Sequence, residues 1–93
     1  MEVQVVYLRF WVSSPRVRLV KCLRSSDPDT VELERLKADL VSNVREFPES
    51  LLWSILKKSE AALRRVKNED AIFLITEIRR SANWEIQSRS RAT

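Results

Sequence analysis

Lys57, Lys58, Arg64 and Arg65 are the residues of this chain whose type and spacing point most directly to chemistry. Separations of one, seven and eight residues return side chains to the same side of a helix, and Trp53 stands at the edge of that side, one turn before Lys57. A row of cations along a helix can follow phosphates, and an aromatic beside it can stack on a base or wedge into a groove. The competing reading is plain: surface helices ordinarily carry Lys and Arg, and Trp53 could simply cover a neighbouring hairpin. Arg16, Arg18 and Arg24 form a second basic strip, joined by Arg79, Arg80, Arg89 and Arg91. Cations on a strand also guard against edge pairing. Nucleic-acid binding gains if the strips are contiguous and loses if Glu32, Glu34 and Asp39 lie between them.

Catalytic chemistry has little to build on. Among 93 residues there is no glycine, no histidine and a single cysteine. Gly-rich phosphate loops, dinucleotide fingerprints and glycine elbows are excluded, because each needs backbone at positive φ or backbone touching the ligand. The usual general base, the usual zinc ligands and any intrachain disulfide pair go with them. Glu32 and Glu34, like Asp27 and Asp29, are two residues apart near a helix start, where they serve the cap and the dipole. The 11 serines have no histidine partner. The expectation is a non-catalytic protein with no metal and no cofactor.

Composition supports a folded, anion-seeking domain. Apolar residues make up 44% and charged residues 32%, the balance of a globular chain, and the net charge is +4 with arginine supplying 12 of 17 cations. Arginine keeps its charge and offers a planar fork to phosphate or carboxylate. The charge is laid out in blocks: +4 over residues 1–26, −4 over 27–56, and +4 over 57–93. Such blocks could also attract one another within the fold. Cys22, in an apolar run, reads as a buried, inert thiol of a reducing compartment. The start lacks a basic region and a small-residue cleavage site, and Arg9 interrupts its apolar stretch, so no signal peptide is read. No run approaches a membrane span. A cytoplasmic or otherwise intracellular protein, not secreted and without a membrane partner, is expected. Free of glycine and histidine and rich in arginine and serine, the composition resembles that of short proteins read from compact or overlapping reading frames, viral accessory proteins among them; no motif stands behind that likeness.

The elements that would position these residues begin with two candidate strands. Residues 3–12 are dense in β-branched and aromatic types and apolar on both faces, and 16–24 reads as a second strand after the Ser13-Ser14-Pro15 break. Asp27 as N-cap and Pro28 at the first position open a helix with Leu33, Leu36, Leu40 and Val44 on one stripe. Phe47-Pro48 ends it and starts another, running to about Lys67, whose Leu51, Leu52, Ile55, Leu56, Ala62, Leu63 and Val66 share a broad face. Residues 71–87 read as a third helix through Ala71, Leu74, Ile75, Ile78 and Ala82, started at Asn68; a second hairpin is the alternative, given the strand-like 72–76.

The sequence therefore predicts an α+β domain over residues 1–87, an N-terminal β-hairpin followed by two or three amphipathic helices, or in the alternative ββααββ, with 88–93 a frayed basic tail. A strand apolar on both faces needs cover on both, which predicts a homodimer. The function expected is non-catalytic binding of RNA or DNA, mainly through phosphates and with little sequence preference, by Trp53, Lys57, Lys58, Arg64, Arg65, Arg16 and Arg18. The alternative is a regulatory module that docks on a protein through Tyr7, Trp11 or Trp84 as aromatic anchors within an arginine rim.

Overall fold

The computed structural model describes residues 15–92, and every regular element in that range is helical. Helix α1 is Pro15–Lys21 and runs into a 3₁₀ turn, Cys22–Arg24. Helix α2, Thr30–Asn43, ends in a second 3₁₀ turn, Val44–Glu46. Helices α3, Glu49–Arg65, and α4, Glu69–Ala92, complete a small bundle. The broadest packing is α3 on α4, then α2 on α4, while α1 and its 3₁₀ turn lie against α2 and α3.

The α+β expectation is thus overturned, in both of its forms. The first predicted strand, 3–12, lies outside the described residues, and so do Tyr7 and Trp11 and the two-faced strand on which the homodimer was argued. The second predicted strand is α1. Pro15 fits the first helical position, where its missing N–H is not needed. Val20 and Leu23 are buried three residues apart, with Arg16 and Leu19 partly covered on the same side. That is helical spacing, and burial along it outweighs the β-propensity of the valines.

The alternative second hairpin fails for the same reason. Residues 71–87 lie within one helix, whose start is capped by Asn68 Oδ1 accepting from the Ala71 N–H at 3.1 Å. Ala71, Leu74, Ile75, Ile78, Ala82 and Ile86 are buried, as the helical reading required. The strand-like 72–76 is divided by burial: Leu74 and Ile75 face the core while Phe73 is 62% exposed. α4 also continues through residues 88–92, where a frayed tail was expected.

The start of α2 needs a smaller correction. Its N-cap is Asp29, whose carboxylate accepts from the Val31 N–H at 2.9 Å, and Pro28 precedes the cap. Leu33, Leu36 and Leu40 are fully buried along the predicted stripe. In α3, Leu51, Leu52, Ile55, Leu56, Ala62 and Val66 are buried and Leu63 packs partly against them. Burying side chains of this size contributes about 1.5–3 kcal/mol each.

A chain without glycine has to leave its helices by other means, and none of the described residues takes positive φ. The common αL exit, normally given to glycine, is replaced by 3₁₀ turns that run out into extended residues, Ser25 after the first and Phe47 after the second. Each turn ends in carbonyls with accepting capacity to spare, and an arginine meets them. Arg65 Nη2 donates to Leu23 O and, at 3.2 Å, to Ser25 O. Arg89 Nη2 donates to Val44 O at 3.3 Å, Arg45 O at 3.2 Å and Phe47 O at 2.8 Å, while its Nε holds Glu85 at 3.1 Å. Among the described residues no helix is long and apolar enough to cross a membrane.

A candidate anion cleft between α1 and α3

Packing α1 as a helix against the first half of α3 creates a pocket of about 200 Å³ lined by Val17, Val20, Lys21, Arg24, Ser50, Leu51, Ser54 and Lys58. One wall comes from α1 and its 3₁₀ turn, where positions 17, 20, 21 and 24 follow helical spacing. The other comes from α3, where 50, 54 and 58 stand four residues apart. Among the described residues no carboxylate lines the pocket. Lys58 is fixed within it, its Nζ donating to Ser54 Oγ at 2.7 Å. Burial holds the Lys58 pKa below its usual value, and the nearby Arg24 guanidinium depresses it further. Two cations that repel each other in one pocket, without an acid beside them, leave room for an anion.

The predicted site residues separate into those that are free to bind and those that hold the fold. Lys57 and Arg64 are exposed on α3 and Arg18 on α1, with no ion pair among the described residues. Trp53 is 43% exposed on the same solvent side of α3 as Lys57 and Arg64, outside the lining of the pocket. Arg65 is the carbonyl clamp described above. Arg16 is also structural: its Nε meets Asp39 Oδ2 at 2.9 Å, its Nη2 lies 3.6 Å from Glu46, and its guanidinium sits 4.3 Å over the Phe47 ring. The face expected to carry Lys57, Lys58, Arg64 and Arg65 is therefore divided, with Lys58 in the pocket and Arg65 bound to backbone. The α4 strip divides too, since Arg79, Arg80 and Arg89 each meet a carboxylate on Glu60, Glu77 and Glu85.

Lys21, Ser50 and Ser54 were not anticipated. Reading 16–24 as a strand puts Lys21 and Arg24 on opposite faces, whereas a helix brings positions three apart together. The Ser50, Ser54, Lys58 spacing was the one signal available in the sequence. Cys22, expected to be buried, is half-buried, its thiol pushed up to about 11 by burial and by Glu32 and Asp29.

A second, different surface lies between α2 and α4. Val41, Val44, Arg80, Ser81 and Trp84 line a groove of about 330 Å³, and Val41 also lines an adjoining one of about 360 Å³ with Lys37, Ala38 and Leu74. Trp84 is 66% exposed and Val41 58%. Lys37 Nζ sits 5.4 Å from the centre of the Phe73 ring. Among the described residues no group of His, Cys, Asp and Glu could hold a metal. Comparison of the chain with protein-family models, with curated proteins and with solved structures returns no match.

Proposed function

We propose that the protein is a non-catalytic binder of nucleic acid that engages the phosphate backbone through the α1–α3 face. The observation that carries this reading is the pocket that Lys21, Arg24 and Lys58 line together, with no carboxylate among its described lining residues. Arg18, Lys57 and Arg64 extend the free charge beyond it, and the exposed ring of Trp53 offers a base a stacking surface. Contacts of this kind follow phosphates and carry little sequence information. Arg16 and Arg65 leave the proposed interface, and Lys21 and Arg24 enter it.

The test is a salt titration of binding to unrelated single-stranded oligonucleotides, read by fluorescence anisotropy. Engagement of about five phosphates gives a slope of log K against log salt near −3.5, and a loss of about 10² in affinity between 50 and 200 mM. A slope shallower than about −1, or a strong preference for one sequence, would overturn the reading. A second reading, docking on a partner protein, draws on the exposure of Trp84 beside Val41 and Arg80 in the α2–α4 groove. An interface anchored by a buried aromatic changes little over the same salt range.

A further inference from the structure

Resting on that nucleic-acid reading, we propose that the α1–α3 pocket holds the terminal phosphomonoester of a strand, with Lys21, Arg24 and Lys58 as its counter-charges and Ser50 as a hydroxyl donor. The argument is one of charge and size. An internal phosphodiester brings a single negative charge to three cations, whereas a phosphomonoester carries about −1.5 to −2 at neutral pH and three strong acceptor oxygens. Of the two, the monoester comes nearer to balancing Lys21, Arg24 and Lys58, which have no carboxylate beside them among the described residues that line the pocket. At about 200 Å³ the pocket is below the range of about 300–1,000 Å³ that encloses a whole drug-sized ligand. It suits a head group, with Val17, Val20 and Leu51 as an apolar wall for the attached sugar.

The backbone adds to the same site. Pro48, at the N-cap of the 17-residue α3, supplies no side-chain cap, and Ser50 of the first turn lines the pocket. The positive end of that helix, which also carries Glu49, therefore lies at one end of the pocket, beside Ser50, where a helix N-terminus favours an anion. Several acids of the fold are already placed, Asp39 and Glu46 on Arg16, Glu32 on Arg35, and Glu60 on Arg79, while Glu49 of the first turn of α3 is not among the described lining residues of the pocket.

The experiment compares one short single strand in three forms, with a 5′-phosphate, with a 3′-phosphate and with hydroxyls at both ends, each carrying an internal fluorophore. Anisotropy at 150 mM salt is expected to show one phosphorylated form binding about tenfold more tightly than the hydroxyl form, the size of a charge-assisted hydrogen bond or two. Inorganic phosphate should compete away that advantage. In R24Q/K58M the ratio should fall to about one, whereas K57Q/R64Q should weaken all three forms and keep the ratio; circular-dichroism melting establishes that both variants are folded. Equal affinity for the three forms overturns the terminal-phosphate site and leaves backbone binding standing. Failure of the folded wild type to bind any strand overturns both.

Discussion

The α1–α3 cleft and the α2–α4 groove are both seams between helices, yet they differ in what has been done with their charge. In the cleft, among the described residues, Lys21 and Arg24 have no carboxylate in the lining and Lys58 donates to a serine hydroxyl. Along α4, by contrast, Arg79, Arg80 and Arg89 are paired with Glu60, Glu77 and Glu85, and Lys37 of α2 lies over Phe73. Apolar surface shows the reverse. The cleft covers Val20 and Leu51, while the groove leaves Trp84 and Val41 open to solvent. Net charge by itself would rank the two basic ends of the chain equally, since residues 1–26 and 57–93 each carry +4. Pairing decides between them: cations already neutralised by a neighbour have little left to offer an anion, although exposed pairs of this kind add little to stability.

The largest expected effect crosses the two surfaces. K21Q/R24Q/K58M should lose about 10² in nucleic-acid affinity at low salt, because it removes every cation that lines the cleft, and the salt slope should become shallower with it. W84A/V41S, which alters only the groove, should bind the same strands within about twofold. If the groove variant is the one that loses affinity, the aromatic face is the binding surface and the assignment is reversed.

A smaller effect is expected at the two arginine clamps. Arg65 ties the 3₁₀ turn that carries Arg24, and Arg89 ties the turn before Phe47 at the other end of the fold. Replacing either by Gln leaves carbonyls poorly satisfied and should cost about 1–3 kcal/mol in urea titration. Only R65Q should also weaken nucleic-acid binding, by a fewfold, because it loosens one wall of the cleft. Equal binding losses in R65Q and R89Q would show that global stability, and not the position of Arg24, sets the affinity.

These clamps mark where sequence reasoning reaches its limit. The stripes Leu33, Leu36, Leu40 and Leu51, Leu52, Ile55, Leu56 were legible because hydrophobic period and burial agree there. The α1 segment was not, since Val17, Leu19 and Val20 within a run of arginines satisfy a strand pattern as readily as a helical one, and only the burial of Val20 with Leu23 decides. Lys58 could be named from helical spacing alone. Arg24 was named as part of a strand face, and its neighbour Lys21 was missed, because the wrong period put the two apart. Arg65 looked like a phosphate ligand for a further reason: its partners are backbone carbonyls, groups that every residue carries and no sequence pattern distinguishes.

The smallest effect tests whether the cleft is built for a ligand at some cost to the fold. Burial and the charge of Arg24 lower the Lys58 pKa, so the folded protein holds this proton less tightly than the unfolded chain does. Its charged form therefore opposes folding throughout neutral pH, and the penalty is relieved only as pH rises from the lowered value towards the ordinary lysine value of 10.5. Lys58→Met keeps the aliphatic stem and removes the charge, and Ser54, only partly buried, can turn to water. The variant should accordingly melt slightly higher than the wild type at pH 7, with the gap closing as pH is raised towards 10.5. It should lose the preference for phosphorylated ends at the same time. A variant that melts lower at pH 7, or a gap that widens with pH, would mean that Lys58 serves the packing of α1 on α3, and the cleft would lose its strongest mark of having been kept for an anion.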